Sequence, residues 1–451
     1  MGILRNTAKF ILVATLAILT LPSCDSDTKE EGDSGIVIKV MLHANDAGGQ
    51  TREIEAYKGR ILEEPVWRPT GKTDYTFAGW FSDKNATIPF DFENTIIEGA
   101  LDLYAGYVPD IILKETKKVA RVTGETQSSD ASLPNPNHTQ TNWNVGGTDL
   151  GIIWEMSKGG YGVAFGDTFN TYSMGGDWRS NVIGFSDNTD LDNGLKFYGM
   201  MVDEGRPNRA KPIMERENYY NFTYIPTAAI SLNGKDYVHI MYWQVGGGLV
   251  EKDYSAYWVS GDGCKTWSRG SLQFAADSYF GMVGLAKRPG DEYCYMIGTK
   301  TGQWGANADG YRKSPAKLAR FKHSDILDKS KYEFWNGGKR KWVVGKEQEA
   351  TTIIDGTIGE LGVIWLEDAQ RWLVMYFNEA KYAICYRSAA MITGPWSTER
   401  KLCDGRATGY NQLYGSYPHP ASSKGDYIYW NMSLWGPYNV FFMRSEIDYA
   451  N

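Results

Sequence analysis

The sequence is poor in the residues that metal centres, redox sites and nucleic-acid interfaces require. Its 451 residues include five Cys and five His, and no two Cys stand in the C-x-x-C spacing of a zinc or redox site. Acidic residues outnumber Lys and Arg by 54 to 47, which leaves a net charge of −7. Since phosphate binding depends on clustered basic side chains, we expect no nucleic-acid partner, and we predict neither a metal nor a cofactor.

Signatures of several other protein classes are missing as well. The chain has no P-loop, no H-E-x-x-H motif and no Ser/His/Asp order, so nucleotide chemistry and proteolysis lack support. No segment beyond residue 24 is apolar over the length that a membrane-spanning helix needs. Four Cys remain after that point, and an exported protein could pair them. Cys294 and Cys385 lie in apolar strand-like runs, where we expect buried free thiols instead. For Cys264 and Cys403 the sequence leaves both a disulfide and a free thiol open.

The N-terminus has the pattern of an export signal. Two basic residues precede an apolar run at residues 10–21, which is too short for a stable transmembrane helix. The run ends in Leu-Pro-Ser-Cys, which resembles a lipobox whose Cys24 becomes the lipidated first residue. An acidic tether follows at residues 25–35 and resembles the export signal of surface lipoproteins in Gram-negative bacteria. We therefore predict an outer-membrane lipoprotein on the cell surface; an ordinary signal peptide cut nearby is the alternative.

Residues 36–109 form a predicted β-rich module of their own. The segment from Gly35 to His43 alternates between apolar and polar residues, as a half-buried strand does. Residues 75–80 and 103–105 are two further strand candidates. These motifs resemble the internalin-B-type repeat of bacterial surface proteins, which implies a β-grasp-like fold and a role as spacer or adhesion module. We find no catalytic chemistry in this module.

Residues 110–451 are predicted to form a second, larger all-β domain with an internal repeat. Each copy has an apolar strand, a tight turn, a second apolar strand, a variable insert and a third strand. The first and second strands of the copies are residues 150–154 with 161–165, 228–232 with 237–242, 282–286 with 293–297, 362–366 with 372–377, and 417–421 with 427–430. Five copies predict a five-bladed β-propeller, because a single blade cannot bury both of its faces. A β-sandwich with similar hairpins is the alternative fold.

Two shorter segments add to the propeller prediction. Residues 260–267, Ser-Gly-Asp-Gly-Cys-Lys-Thr-Trp, resemble the Asp-box of sialidase-like propellers, which caps an outer hairpin of a blade. We expect Asp262 to bond its own turn, and Cys264 stands where that motif has Gly. Residues 119–124, before the first copy, have the pattern of one more strand of the large domain.

The repeat geometry also predicts where a site would lie. Antiparallel pairing places the start of the first strand and the end of the second strand at one rim of each blade, around the axis. The catalytic candidates on that rim are Asp149, Asp167 and Glu360; the substrate-binding candidates are Thr227, Gln244, Asn378, Tyr414, Ser416, His419, Ser433 and Trp435. A carboxylic acid and a carboxylate at one site are the groups that glycoside hydrolysis needs.

The rim motifs resemble the endo-D-arabinanase family of glycoside hydrolases, first catalogued as a domain of unknown function. The resemblance spans about residues 115–448. Its motifs are Gly-Thr-Asp-Leu-Gly at 147–151, Phe-Gly-Asp-Thr-Phe at 165–169, Gly-Glu-Leu at 359–361, Gly-Pro-Trp-Ser at 394–397 and Tyr-Gly-Ser-Tyr-Pro-His at 414–419. It implies hydrolysis of α-linked D-arabinofuranose polymers, with Asp149 and Asp167 as the catalytic pair and Glu360 as a further rim acid.

Two rival functions stay open at this point. The chain could be a non-catalytic glycan-binding surface lipoprotein that keeps the pocket for binding. It could also be a sialidase-like enzyme, although sialidases need an arginine cluster that the predicted rim does not supply. In all three cases the partner is a glycan, and surface glycan-utilisation proteins are further candidate partners.

Overall fold

The structure is a computed structural model that describes residues 35–214, 222–246, 249–300 and 314–450, apart from the side chains of residues 244–253. Cys24 and nearly all of the predicted tether lie outside the described residues. The described part contains one α-helix, Thr139–Trp143 (α1), and none of its helices is long and apolar enough to cross a bilayer. Its 3₁₀ helices are Ser128–Asp130, Leu191–Asn193, His323–Asp325, Lys329–Lys331, Glu347–Glu349 and Pro420–Ser423.

The N-terminal module is a four-stranded sheet with the order β2-β1-β4-β3. Its strands are β1 (Val37–His43), β2 (Thr51–Tyr57), β3 (Tyr75–Phe81) and β4 (Leu101–Pro109). The two central strands, β1 and β4, run parallel, and the outer pairs are antiparallel. This is a β-grasp-like order, and the alternating burial of β1 puts one of its faces in the module's core. The module touches the larger domain through ion pairs of Glu64 with Arg340 and of Asp74 with Arg400.

The larger domain consists of five antiparallel sheets. Blade one has β6 (Gly147–Glu155), β7 (Tyr161–Thr171), β8 (Gly175–Arg179), β9 (Val182–Ser186) and β10 (Gly199–Met200), and a short ribbon, β11 (Val202–Asp203) with β12 (Arg206–Ala210), follows it. Blade two has β13 (Phe222–Leu232), β14 (Lys235–Gly246), β15 (Leu249–Ser260) and β16 (Ser268–Ala275). Blade three has β17 (Met282–Ala286), β18 (Tyr293–Thr299), β19 (Ala316–Lys322), β20 (Glu333–Asn336), β21 (Lys341–Val344) and β22 (Thr352–Ile354).

The last two blades complete the set. Blade four has β23 (Leu361–Leu366), β24 (Arg371–Asn378), β25 (Ala383–Ala389) and β26 (Arg400–Asp404). Blade five has β27 (Leu413–Pro418), β28 (Tyr427–Leu434) and β29 (Asn439–Tyr449), and its fourth strand is β5 (Ile111–Arg121), from the beginning of the domain. The strand predicted at residues 119–124 thus overlaps β5, which closes the last blade.

The five sheets form a closed ring through their first strands. β6 contacts β13, β13 contacts β17, β17 contacts β23, β23 contacts β27, and β27 contacts β6 again. Every residue of β17, β23 and β27 is buried, because an innermost strand packs against neighbouring blades on both faces. The prediction of a five-bladed β-propeller is confirmed, and the β-sandwich alternative is wrong.

The Asp-box segment has the expected structural role. It forms the turn between β15 and β16, where Asp262 accepts hydrogen bonds from the backbone N–H groups of Lys265 and Thr266 and from the Thr266 hydroxyl. These bonds lower the pKa of Asp262 to about 2. Cys264 adopts the left-handed conformation that Gly has in the motif, with φ of 66°. All four described Cys are free and buried.

Candidate active site

A cavity of about 250 Å³ lies at one end of the propeller axis. It is bounded by the starts of first strands and the ends of second strands, as the repeat geometry predicts. Three carboxyl groups, two threonines and a band of aromatic and apolar side chains line it. The lining residues are Asp149, Leu150, Asp167, Met174, Thr223, Ile225, Pro226, Thr227, Met241, Trp243, Met282, Glu360, Tyr414, Tyr417, Trp435 and Tyr438.

Asp149 lies on β6 opposite a β-bulge in β7, and it reaches the cavity from there. Thr148 pairs with Thr168 and Leu150 pairs with Phe165, so Asp149 stands opposite two residues of β7. Leu150 has φ of 66°, an uncommon conformation for a bulky residue. Its N–H, turned out of the ladder, donates to Ser433 Oγ at 2.8 Å. Bulges of this kind re-aim side chains beside active sites, and here the bulge turns a carboxyl group toward the axis.

The Asp149 carboxyl group is tightly enclosed. Its Oδ2 atom accepts hydrogen bonds from the hydroxyls of Tyr414 and Tyr438, both at 3.0 Å. Its Oδ1 atom is buried against Gly166, where an added Cβ would lie only 2.3 Å away. Burial, together with the negative charge of Asp167, raises the pKa of Asp149 to about 7, although the tyrosine hydroxyls oppose the shift. Asp149 can therefore take up and release a proton near neutral pH.

Asp167 lies near the end of β7 in a different environment. Its Oδ1 atom accepts hydrogen bonds from Trp178 Nε1 at 2.9 Å and from the Thr223 hydroxyl at 2.5 Å. Hydrogen bonds donated to a carboxylate stabilise its ionised form. Trp178 comes from β8 and Thr223 from β13, so blades one and two together fix the orientation of this carboxylate.

Glu360 is the third acid of the cavity and directly precedes β23. Only 6% of this residue is exposed. Burial, with smaller effects from Asp149 and Glu379, raises its pKa to about 8. Glu360 is consequently a neutral carboxyl group at pH 7, next to the pair formed by Asp149 and Asp167.

Three of the predicted binding residues, Thr227, Tyr414 and Trp435, line the cavity with the three acids. Thr227 sits at a bulge in β13, between the pairs Pro226–Ile240 and Ala228–His239, and its hydroxyl bonds His239 Nδ1 at 2.6 Å. Tyr414, Trp435 and Tyr438 form a connected aromatic cluster along one wall, with ring centroids 5.5–6.0 Å apart.

Four other predicted binding residues do not line the cavity. Ser433 holds the Leu150 N–H, and Ser416 is fully buried within β27. Asn378 donates to Glu399 Oε2 at 3.1 Å, away from the axis. His419 lies at the opposite end of β27, because that strand starts at Leu413 rather than at the predicted residue 417; its Nδ1 accepts the Ala421 N–H and caps a 3₁₀ helix. The side chain of Gln244 is outside the described residues.

Several lining residues were not predicted from the sequence. Thr223 is one of them, and it lies on β13 ahead of the predicted start of that strand. Trp178, which orients Asp167 from outside this lining, lies on β8, a strand that the recognised repeat copies did not include. Met241, Trp243 and Met282 form an apolar wall, and nothing in a single sequence separates them from ordinary core residues. Extension of the predicted first strand of blade two toward its N-terminal side would have included Thr223.

The ionisable side chains of Asp and Glu give the lining of the cavity charge of one sign. None of the described residues that line it is Lys or Arg. Within the same described ranges, no group of three or more His, Cys, Asp or Glu side chains could hold a metal ion. The cavity therefore offers carboxyl groups, hydroxyls and apolar surface to a ligand.

A second cavity, of about 390 Å³, lies at the other end of the axis. Its lining includes Lys287, Arg288 and Asp291. Asp291 is engaged by Arg288 at 3.0 Å and by the Tyr295 hydroxyl at 2.8 Å. An acid held in this way is a structural group, so the cavity around Asp149 is the better candidate for catalysis.

Comparisons with known proteins divide the chain in the same way. Residues 134–444 match the family described as a domain of unknown function (DUF4185), and residues 42–106 match the Listeria-Bacteroides repeat domain. Notoamide biosynthesis cluster protein J of an Aspergillus species is 27% identical over 315 residues, which are 65% of this chain and 80% of that protein.

Two solved structures illustrate the similarity of the fold. The GH43_1 enzyme from Xanthomonas citri has a TM-score of 0.39 at 12% identity, over 67% of this chain and 87% of that chain. The xylan beta-1,4-xylosidase from Bacillus halodurans has a TM-score of 0.41 at 12% identity, over 69% of this chain and 54% of that chain. At these TM-scores the likeness carries no argument about the activity of this chain.

Proposed function

The chain belongs to the family described as a domain of unknown function, DUF4185, and from its axial cavity we propose that it is a glycoside hydrolase acting on a polysaccharide. The observation that carries the proposal is the pairing of Asp149 with Asp167. One is a carboxyl group with its pKa raised to about 7, and the other accepts two hydrogen bonds at one oxygen. Glycoside hydrolysis needs two carboxyl groups in two such different states.

The two environments assign the roles. Asp149 is the proton donor to the glycosidic oxygen, because burial and the charge of Asp167 favour its protonated form. Asp167 is the carboxylate that activates water or attacks the sugar carbon, because hydrogen bonds from Trp178 and Thr223 hold its Oδ1 atom in a fixed orientation. The rate of cleavage should fall as pH rises above about 7, since Asp149 then loses the proton that it must donate.

The residues that line the cavity also limit the class of sugar that it can bind. A sialic acid or uronic acid carries a carboxylate, which calls for a basic partner, and no described lining residue is Lys or Arg. We infer a neutral sugar whose apolar face packs on the wall of Met241, Trp243 and Met282. The motif resemblance at residues 147–151 and 165–169 supports α-linked D-arabinofuranose polymers and endo-acting cleavage as the specific form of this proposal.

A panel of polysaccharides, with D-arabinan and charged polymers included, tests the proposal. We expect wild-type protein to release short oligosaccharides from D-arabinan. Asp149→Asn and Asp167→Asn should each lower the rate by about 10²–10⁴-fold. The melting temperature should be nearly unchanged in Asp167→Asn and unchanged or higher in Asp149→Asn, which no longer buries a charge. Asp177→Asn is a matched control, because Asp177 lies on β8 but pairs with Arg209 at 2.8 Å outside the cavity.

Two results would contradict the proposal. Full activity in both cavity variants would show that the pair is not catalytic. Binding of D-arabinan without cleavage by the wild type would favour a glycan-binding protein instead.

A further inference from the structure

The hairpin of β7 and β8 borders the mouth of the axial cavity. Blade one has this hairpin in addition to its row of four strands. Met174, in the turn at residues 172–174, lines the cavity and is also 44% exposed, so the turn lies where the cavity opens to solvent. Tyr172, in the same turn, is 45% exposed. Two large apolar side chains thus face water at the entrance to the site.

The turn is held in place from two sides. Ser173 Oγ donates to the Gly436 carbonyl of blade five at 3.4 Å. On the other side, a Cβ at Gly147 would lie 1.9 Å from the Ser173 carbonyl oxygen, so the turn packs directly on the backbone of β6. Below the turn, the Asp177 N–H donates to Asn170 Oδ1 at 2.6 Å. The turn is therefore a fixed part of the cavity mouth.

We propose that Tyr172 and Met174 form a sugar-binding subsite at the mouth of the cavity, which holds the polymer residue next to the one being cleaved. The inference rests on the proposed glycoside hydrolase activity. A tyrosine offers a flat apolar face and a polar tip, which matches the apolar C–H face and the hydroxyl edge of a sugar ring. An exposed apolar surface that continues into a cavity can mark a ligand-binding site.

The position of the subsite couples binding to catalysis. The same hairpin carries Asp167 on β7 and its partner Trp178 on β8. A sugar residue bound at the turn would therefore be fixed relative to the Asp167 carboxylate, which activates water or attacks the sugar carbon. The subsite would act on substrates longer than one residue, and a single sugar in the cavity would not reach it.

Kinetics of the full-length protein on two substrates test the subsite. D-arabinan spans both the cavity and the turn, whereas 4-nitrophenyl α-D-arabinofuranoside carries one sugar residue. We expect Tyr172→Ala to raise KM for D-arabinan about threefold to tenfold, in line with the loss of one aromatic contact, and to leave kcat/KM for the aryl glycoside unchanged. Tyr172→Phe should keep most of the affinity for the polymer.

Tyr57→Ala is the matched control. Tyr57 has the same 45% exposure but lies on β2 of the N-terminal module, and its replacement should change neither substrate's kinetics. Equal kinetics of Tyr172→Ala and wild type on D-arabinan, or equal losses on both substrates, would overturn the subsite alone. A wild-type protein that cleaves neither substrate would overturn the proposed function, and the subsite with it.

Discussion

At the scale of single residues, the cavity concentrates acids in places that disfavour their charge. Asp149 and Glu360 both have raised pKa values, to about 7 and about 8, and burial is the main cause in each case. An acid whose pKa is raised by folding binds a proton more tightly in the folded state. Such groups lower stability at neutral and alkaline pH, and a purely structural role gives no reason to keep them there.

Glu360→Gln tests this reading through stability. Folding raises the pKa of Glu360 from 4.5 to about 8, so the folded state holds more protons between those values and wild-type stability falls as pH rises through that window. Gln has no charge to bury, and the variant should lack this part of the decline. We expect the variant to match wild type near pH 4.5 and to be more stable at pH 8, by up to about 4 kcal/mol.

The measurement is a series of thermal or denaturant unfolding curves from pH 4.5 to 8.5, with cleavage of D-arabinan measured in parallel. We also expect Glu360→Gln to impair cleavage, because Glu360 lines the cavity. Parallel stability curves for the two proteins across the whole range would show that Glu360 is not a buried neutral acid.

Sequence reasoning found the acids of the site and missed their supports. Asp149, Asp167 and Glu360 each stand within two residues of a Gly and next to an apolar strand segment, and this pattern makes them visible in the sequence. Trp178 and Thr223 have no such mark, because their role depends on strand extensions that differ between blades. His419 was misplaced for the opposite reason: the bulge at Gly415 and Ser416 interrupts β27, so the apparent strand began too late.

At the scale of elements, bulges in the innermost strands shape the cavity. β6, β13 and β27 each contain a register shift, and the residues next to those shifts include Asp149, Thr227 and Tyr414. Strands with unbroken pairing would point alternate side chains into the space between blades. The bulges instead turn selected side chains toward the axis, where they line the cavity.

Gly166→Ala probes this arrangement. The new Cβ would lie 2.3 Å from Asp149 Oδ1 and 3.0 Å from Leu150 Cδ1, so the carboxyl group must move. We expect a loss of roughly 1–3 kcal/mol in unfolding free energy from overpacking and a fall in kcat of about tenfold or more from misplacement of the proton donor.

Gly199→Ala supplies the control from the same blade, since a Cβ there meets no atom within 4 Å. Its stability and kcat should stay close to those of wild type. Equal kcat values for the Ala variants at 166 and 199 would show that the position of Asp149 is not critical.

The strands were predictable from the sequence where an apolar run or an alternation of apolar and polar residues indicates them. Apolar first and second strands were found in four copies, as at β17, whose predicted and observed limits coincide. In blade five the first strand, predicted at residues 417–421, overlaps only the end of β27. Outer strands such as β16 and β21 were not predicted, because half-exposed edge strands have weak patterns. The turn chemistry of the Asp-box located the β15–β16 connection through its hydrogen bonds rather than through hydrophobicity.

At the scale of the whole molecule, the propeller is closed by a strand that precedes the first blade. β5 pairs with β29 along most of its length. The Leu113 N–H of β5 also donates a hydrogen bond to the hydroxyl of Tyr386, which lies in blade four. The N-terminal module, by contrast, has its own sheet and core. The two parts should therefore respond differently to truncation.

Removal of residues 25–109 should leave a folded propeller, because all five blades remain complete. Removal of residues 25–121 should prevent a cooperative unfolding transition, since β29 loses its partner and the last blade opens. Circular dichroism and calorimetry of the two truncated proteins distinguish the cases. Loss of folding in the shorter deletion would show that the module is part of the propeller's core.

The location of the protein on the cell is a separate proposal that rests on residues 21–35 of the sequence. If Cys24 is acylated, Cys24→Ala should move the protein from the membrane fraction to soluble fractions, because several acyl chains together provide stable anchoring. External protease should digest the wild type on intact cells if the anchor faces outward. Retention of Cys24→Ala in the membrane fraction would rule out this anchor.

The strand that closes the ring also sets the order in which the protein can mature. The Arg121 guanidinium, at the end of β5, bonds Asn439 Oδ1, and these residues are 318 positions apart in the sequence. Joining them requires a very long loop to close, and contacts of such high sequence separation form slowly. Until β29 has been synthesised and released, β5 remains an unpaired edge that other chains can join. Closure of the propeller must therefore wait for β29, and until that strand is available the unpaired edge of β5 gains from protection by chaperones.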